Sequence, residues 1–433
     1  MSVALEIEQL LRPIVRGPLP VHLTAWDGSV AGTPDGPRVS VNHPNALRRQ
    51  VWAFGELGAA QAYATGELDV EGDLGSALEQ LWAAARERRL TGVRVTPATI
   101  LRTLRAARRL RVLGPPPPLP ASQARLRGRL HGLRRDRAVI SHHYDLSNEF
   151  YAMILDPHMA YSCAYFPLGA PANPVDIDRL ERAQQHKLDL VCDKLGLQPG
   201  MRLLDVGCGW GSLSLRAAEE FGTHVVGITL SREQKAYIDR RIAERGLADR
   251  VDIRLQDYRR QPDDNFDAVA SLEMGEHVGD RNYVRYARTL AHAVRPGGRV
   301  LIQQMSRHGK HPGGGPFIES FIAPDMSMRP VGNTIALIEQ AGLEVCGVQG
   351  MREHYAWTIA AWIERLESQW DTVVSLVGEE VARVWRLYLT GARLSFEQGR
   401  MGVDQILAQR PATLTPDRTN IVHCDYRNVA ALP

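Results

Sequence analysis

Leu203-Leu204-Asp205-Val206-Gly207-Cys208-Gly209-Trp210-Gly211 decides the fold. An apolar run ends on an acid, three glycines follow at G-x-G-x-G spacing, and a helical stretch starts directly after them. Glycine lets backbone approach a ligand closely at a helix start, where unpaired N–H groups point outward. A dinucleotide loop carries its glycines as G-x-G-x-x-G. Here the third glycine comes one position early, and the acid stands two residues before the first. A nucleotide site and a plain structural turn are the alternatives on this segment alone.

Six apolar runs surround the loop: MRLLDVG (201–207), HVVGITL (224–230), VDIRLQD (251–257), FDAVASLE (266–273), GGRVLIQQM (297–305) and LEVCGVQG (343–350). They alternate with helical stretches, which predicts an α/β fold with a doubly wound, mostly parallel sheet. In that setting D-x-G-x-G-x-G resembles the loop of class I (Rossmann-like) methyltransferases that bind S-adenosylmethionine (SAM). SAM carries a sulfonium and an amino group rather than a pyrophosphate, so an acidic loop suits it. The stretch 355–410 reads as helical, with Trp357, Trp362, Trp370 and Trp385 mainly as core.

Residues 1–110 read as a smaller α+β domain, here assigned an accessory or lipid-binding role. VHLTAW (21–26) and RVSVNH (38–43) are short strands, 47–66 and 73–89 look helical, and Asp73 is a plausible N-cap. Gly114 to Pro120 is a stiff proline run. A basic, proline-rich linker over 111–139 and a methyltransferase domain over 140–433 complete the expected organisation.

The chain has 433 residues, 44% hydrophobic and 23% charged, ordinary for a globular protein, and a net charge of +3. That average hides a division. Residues 101–140 hold eleven arginines, no lysine and one acid, Asp136, a net +10. The remainder, with 41 basic and 48 acidic residues, carries −7. Such a belt suits phosphate on nucleic acid or lipid, or is simply a solvated face. LRTLRAARRLRVL (101–113), apolar at 101, 104, 110 and 113, reads as a basic amphipathic helix of the interfacial kind.

Cys163, Cys192, Cys208, Cys346 and Cys424 form no C-x-x-C pair, which argues against a zinc site or disulfide framework and fits a reducing cytoplasm. No metal is expected. No apolar run is long enough to span a bilayer, and Glu6 and Glu8 stand where a signal peptide would be basic and then apolar. Membrane contact is therefore expected to be peripheral, on the cytoplasmic side.

Five further segments keep a fixed order around the loop: HHYDLSNEFY (142–151), LDPHMAYSCAYF (155–166), GITLSREQ (227–234), LQDYR (255–259) and EHVGDRNY (276–283). Together they resemble the cyclopropane-fatty-acid synthase family, which includes mycolic-acid and fatty-acid methyltransferases. FGELGAAQAYATGELDVEGDL (54–74) resembles the N-terminal domain of its longer, phospholipid-acting members.

The resemblance implies SAM contacts at Tyr161, Ser162, Asp205, Gly207 and Gly209. It puts Thr229 and Gln234 near the ribose and carboxypropyl region, and Asp257 and Tyr258 on the adenine side. Thr229 as a helix cap and Tyr258 as plain packing are the alternatives. The family also holds a bicarbonate ion as base. Cys163, Glu276 and Tyr355 match three of its holders, and Met305 stands at its backbone-amide position.

Two departures concern this base. Gln303 stands where the family has histidine, and glutamine cannot titrate, which argues against bicarbonate here. Ser271-Leu272-Glu273-Met274-Gly275 replaces Ser-x-Gly-x-Phe, so a small residue has become Glu273 and a bulky one Gly275. The Glu273 carboxylate either hydrogen-bonds SAM or a nearby backbone amide, or does part of the work bicarbonate does elsewhere; both readings are open at this point.

The implied reaction is C-methylation of a cis double bond in an unsaturated phospholipid acyl chain. The changes around the base favour a 10-methylene product, with cyclopropane as the alternative and a separate reductase as a later partner. The Arg- and Ala-rich composition fits a high-GC, actinobacterial source. The Arg-rich segment 101–137 would dock on an anionic membrane. A methyltransferase of RNA is one rival, disfavoured because no stacking aromatics are interleaved with the arginines. A non-catalytic lipid-binding protein is the other, disfavoured by the intact loop and Glu276. Homo-oligomerisation is left open.

Overall fold

The computed structural model describes residues 2–90, 105–110, 112–124, 130–132, 135–136, 147–167, 169, 177–260, 265–308 and 313–412. Leu101, Leu104, seven of the eleven arginines of the basic segment, His142 to Asp145 and Cys424 lie outside the described residues. Two compact units are present. One comprises Met1–Arg125, Gly315–Ile322 and Trp370–Leu394, the other Leu126–Gly314, Ala323–Gln369 and Ser395–Pro433. The expected boundaries at 110 and 139 differ from this division, and a helical part of the expected methyltransferase domain groups with the N-terminal residues.

In the first unit, β1 (His22–Ala25), β2 (Val30–Gly32), β3 (Arg38–Val41) and β4 (Leu68–Val70) form a sheet in the order β2-β1-β3-β4. The single helix expected over 47–66 is two helices, Asn45–Trp52 and Glu56–Ala64, broken where Gly55 takes φ +90. Asp73 caps the helix Leu74–Glu87 by accepting from the Ser76 amide at 2.7 Å. Arg383 explains why residues 370–394 join this unit. Its buried guanidinium donates to the Tyr63 and Leu68 carbonyls and to Asp69, at 2.6, 3.0 and 2.8 Å.

Ala107, Leu110 and Val112 are buried in the core of the first unit with Ala4, Ile7 and Leu23. Of the four apolar positions expected on one face, Leu101 and Leu104 lie outside the described residues, Leu110 is buried and Leu113 is exposed, as are Arg105, Arg108 and Arg109. Arg135, from the same belt, is not solvated. It makes a two-pronged pair with Asp325, at 2.5 and 2.9 Å.

The second unit holds β5 (Arg202–Val206), β6 (His224–Thr229), β7 (Val251–Leu255), β8 (Phe266–Leu272), β9 (Val294–Arg307), β10 (Glu344–Gly350) and β11 (Met401–Gln409). Their order is β10-β11-β9-β8-β5-β6-β7. All six expected strands are present, and β5 to β9 run parallel. β11 corrects the helical reading of 401–409. It lies antiparallel between β9 and β10. The chain moves one way from β5 through β6 and β7, then returns to β8 on the other side of β5. Ligands bind at such a switch point, outside the carboxyl ends of the strands. The loops after β5 and β8, with Asp205 to Gly211 and with Glu273 and Glu276, flank it. Among the described residues no helix is long and apolar enough to cross a membrane.

Candidate active site

The loop leaves β5 with Gly207, Gly209 and Gly211 at φ +82, +55 and +83, the left-handed region that glycine enters without strain. A side chain on Gly211 would come within 3.0 Å of Ile238, so this glycine also lets the next helix pack closely. At Gly209 an added carbon would meet nothing within 4 Å, so the backbone there borders open space. That space is a cavity whose lining includes Tyr161, Ser162, Asp205, Gly207, Gly209, Thr229, Gln234, Asp257 and Tyr258. The fold therefore brings all nine residues read as cofactor contacts to one cavity. An open glycine cradle with a buried acid at its base fits SAM.

Each side chain has its own restraint. The Asp205 carboxylate accepts from Ser214 Oγ at 2.7 Å. Thr229 Oγ1 donates to Gln234 Oε1 at 2.7 Å and accepts from the Ser231 amide at 3.2 Å. The helix cap itself is Ser231, which accepts from the Gln234 amide. Asp257 is clamped by Arg259 Nε and Nη2 at 2.8 and 2.6 Å, and its carboxyl stays below its ordinary range. The Tyr258 hydroxyl is buried in the cavity wall with no hydrogen-bond partner, so it can serve a ligand as well as pack.

Residues not anticipated from sequence complete this side. Arg259 also pairs with Asp136 at 2.8 Å, and both line the cavity with Asp325. Lys187, on the helix Ile177–Leu195, is wholly buried and donates to Ser162 Oγ at 2.8 Å. The charges of Asp156, Cys163, Glu273 and Asp205 all favour its ammonium, against a burial that lowers its pKa. It stands in the apolar stripe of that helix, four residues after Ala183 and four before Val191, both buried, so its spacing marks an inward position.

Burial raises the Asp205 pKa from 3.8 to about 6. The folded state thus holds that proton more tightly than the unfolded chain. The penalty is absent below pH 3.8, grows through pH 6 and is complete above it. Asp205→Asn should therefore stabilise the cofactor-free protein by roughly 2–3 kcal/mol at pH 8, with no gain below pH 4. Urea unfolding at the two pH values measures this. A gain independent of pH would place the effect elsewhere.

The second group gathers beyond β8. Glu273 lines the cavity at φ +53, and Met159 and Asp325, also lining it, take φ +56 and +64. Left-handed backbone at a residue with a side chain costs about 1–2 kcal/mol, and such strain concentrates at functional sites. Glu273 thus occupies a glycine-type backbone position. Gly275 has a separate reason. A side chain there would meet Gln304 Oε1 at 2.1 Å, and Gln304 is held by the Tyr283 hydroxyl at 2.5 Å.

Gln303 Nε2 donates to Glu273 Oε1 at 2.8 Å, and the Met305 amide donates to Glu276 Oε1 at 3.3 Å. Burial and the Glu273 charge push Glu276 well above its usual pKa. Burial also raises Glu273, but Gln303, Glu276, Lys187 and the Cys163 amide favour its charged form. Both carboxyls are thus harder to ionise than in water, Glu276 the more so, and Glu273 is the member of the pair that gives up its proton first. The two groups expected around bicarbonate, Gln303 at the histidine position and the Met305 amide, are engaged by the protein's own carboxyls, so the residues present do not fit a bicarbonate ion. Glu273 Oε2 and Glu276 Oε2 are buried with no donor from elsewhere in the protein, so a proton on Glu276 is held against Glu273.

Cys163 is fully buried, and burial holds its thiol well above its usual pKa. It lies outside the cavity lining, with its thiol on the Met351 carbonyl at 3.6 Å, and is not placed to act as a nucleophile. Tyr355 packs against Phe396 and Trp362, with ring centroids 4.7 and 6.0 Å apart, and is not part of the cavity lining.

Comparison with known proteins agrees with this geometry. The family model for mycolic acid cyclopropane synthetase matches residues 131–406. A probable fatty acid methyltransferase of Mycobacterium tuberculosis is 36% identical over 401 residues, covering 91% of this chain and 92% of its own. The tuberculostearic acid methyltransferase of the same organism is 34% identical over 405 residues, with 89% and 87% covered. Among solved structures, the mycolic acid cyclopropane synthase CmaA1 complexed with SAH and CTAB superposes with a TM-score of 0.58. It shares 32% identity and covers 63% of this chain and 98% of its own.

Proposed function

The chain belongs to the mycolic acid cyclopropane synthetase family and is a SAM-dependent methyltransferase, and from that premise we propose that it methylates the cis double bond of an oleoyl-type phospholipid acyl chain and leaves a 10-methylene group. The observation that carries this reading is a chain-borne carboxyl, Glu273, in the lining of the cofactor cavity, held by Gln303 Nε2 at 2.8 Å where the family has histidine. When bound, SAM supplies a strongly electrophilic methyl group. The π electrons of the alkene form the new carbon–carbon bond, and positive charge is left on the neighbouring chain carbon.

The protein's residues then manage that charge. Met159, Leu272, Met274 and Val278 give the cavity apolar walls that exclude water. The Glu273 carboxylate offers fixed negative charge and accepts the proton that must leave. If the proton leaves the added methyl as that carbon closes onto the cation, the product is cyclopropane. If a hydride first moves from the methylated carbon to its neighbour, loss from the methyl gives the methylene. Each route uses one methyl and releases one proton. A base fixed on the chain, with Gln303 rather than histidine beside it, differs in position from a loosely held ion, and this favours the methylene. The family's own description favours cyclopropane as the second reading.

Docking on the cytoplasmic face of an anionic membrane is part of the proposal. Exposed Arg105, Arg108 and Arg109 support it, with exposed Trp52, Phe54 and Leu113 in the same unit. Trp52 Nε1 donates to the Gly114 carbonyl at 3.1 Å, which ties the two stretches together. Vesicle binding should weaken as salt rises. A reductase acting afterwards would turn the methylene into a methyl branch.

The test is incubation with methyl-labelled SAM and dioleoyl phospholipid vesicles, followed by proton NMR of the recovered lipid. The two products have the same mass, so spectra rather than mass separate them. Vinylidene protons on labelled lipid support the proposal. Cyclopropane ring protons replace it with the second reading, and unlabelled lipid ends both.

A further inference from the structure

Three glutamines form a row across the sheet. Gln349 of β10 is the register partner of Gln405 of β11, and Gln405 is the partner of Gln303 of β9. Residues directly opposite on adjacent strands are near neighbours, so their side chains can bond across the ladder. Lys194, at the end of the helix Ile177–Leu195, closes one end of the row. Its Nζ donates to Gln349 Oε1 at 2.5 Å and to Gln405 Oε1 at 2.6 Å. Gln405 Nε2 donates to Gln303 Oε1 at 2.9 Å, and Gln303 Nε2 donates to Glu273 Oε1 at 2.8 Å.

The direction of this chain is forced. An ammonium only donates and a carboxylate only accepts. Each amide between them must therefore turn its oxygen toward Lys194 and its NH2 toward Glu273. Aligned in this way, the two amides polarise one another and strengthen the last hydrogen bond. No proton moves along the chain; only its orientation is transmitted.

We propose that Lys194, acting through Gln405 and Gln303, is a positioning residue that holds the Glu273 carboxylate in place and in its charged form. The inference rests on the reading of Glu273 as the reaction's base only for its effect on turnover; its effect on Glu273 itself is independent of that reading. It also gives Gln303 a role that histidine could not fill in the same way. Glutamine presents an acceptor and a donor whatever the pH, so the chain survives where a titrating ring would break it.

Other charged groups bear on the same carboxylate. Lys187 faces Glu273 from the helix Ile177–Leu195, Cys163 from the segment after residue 155, and Glu276 from the loop after β8. At the far end Arg299 donates to the Lys194 carbonyl at 3.1 Å, and burial brings the ammonium down to about 8.

The decisive variant is Gln405→Glu, equal in shape but an acceptor at both ends. Gln303 must then turn its NH2 to the new carboxylate and offer an oxygen to Glu273. Lys194→Met removes the ammonium instead and guards against a folding defect peculiar to one variant. The primary readout is the protonation midpoint of Glu273, followed by infrared difference titration of the carboxyl band that Glu273→Gln removes. Both variants should raise the midpoint by about one pH unit, a tenfold gain in proton affinity. The acid limb of kcat/KM should move with it, and activity should recover at higher pH, which a merely structural loss would not allow. An unmoved midpoint in both variants overturns the inference. A moved midpoint together with an active Glu273→Gln enzyme would uphold it and reject Glu273 as the base.

Discussion

Glu273→Gln should lower kcat by about a thousandfold, within the range expected for loss of a general base. SAM affinity should stay within a few-fold, because the cofactor-side residues keep their own restraints. Asp205 is bound by Ser214, Asp257 by Arg259, and Thr229 by Gln234. Glutamine is equal in size and keeps one oxygen for Gln303 Nε2, so the left-handed turn at Glu273 has no new reason to change. Only the charge and the proton acceptor are lost. Turnover measured beside cofactor binding by calorimetry checks this. Activity near that of the wild type would remove Glu273 from the chemistry. So would activity in the variant that added bicarbonate restores to the wild-type level without the carboxylate.

The second large effect is on stability. Lys187→Met should cost about 3 kcal/mol at pH 8, the scale of breaking a buried charge constellation by removing one member. Asp156 and Asp205 are then left buried without their nearest ammonium. Their pKa values are already raised by burial and should rise further. The loss should therefore be largest at pH 8 and should shrink as the pH falls through about 6, where Asp205 takes up its proton and a buried ammonium becomes itself a burden. Urea unfolding across this range gives the answer. A cost independent of pH would mean that Lys187 contributes packing alone. SAM binding should weaken as well, since Ser162 loses its partner.

Much of this was legible in the residues. Alternation of apolar runs with helical stretches predicted β5 to β10, because buried parallel strands read as continuous apolar segments. The glycine spacing predicted the cofactor loop, and the acid at the strand end predicted Asp205. β11 escaped because MGVDQILAQ mixes polar and apolar residues, and its Gln405 faces a buried relay rather than solvent. Residues 101–113 are legible only in part. Arginine spacing shows which face is wet but not whether the other face meets lipid or protein; Leu110 joins the core cluster with Ile7, while Leu113 is exposed. Lys187 and Lys194 stand in the apolar stripe of their helix, four residues after Ala183 and three after Val191, so the pattern marks them as inward-facing but does not name what they meet. Their partners come from strands and loops far away in sequence.

Glu273 lies between these cases. The departure from a small residue was visible, and a carboxylate at that position suggested a built-in base. What the sequence could not supply was the backbone. At φ +53 the residue retains the conformation glycine would take, so the side chain is delivered to the site without rebuilding the loop. Nor could it supply the company that keeps the group charged, which comes from β9, from the helix Ile177–Leu195 and from the Cys163 amide.

The central claim is that the base belongs to the protein and is not a bound ion. It is tested most directly by turnover of the wild-type enzyme in buffer stripped of carbon dioxide, before and after bicarbonate is restored. The account predicts the same kcat and KM in both. A rate that collapses on stripping and returns with bicarbonate would contradict it.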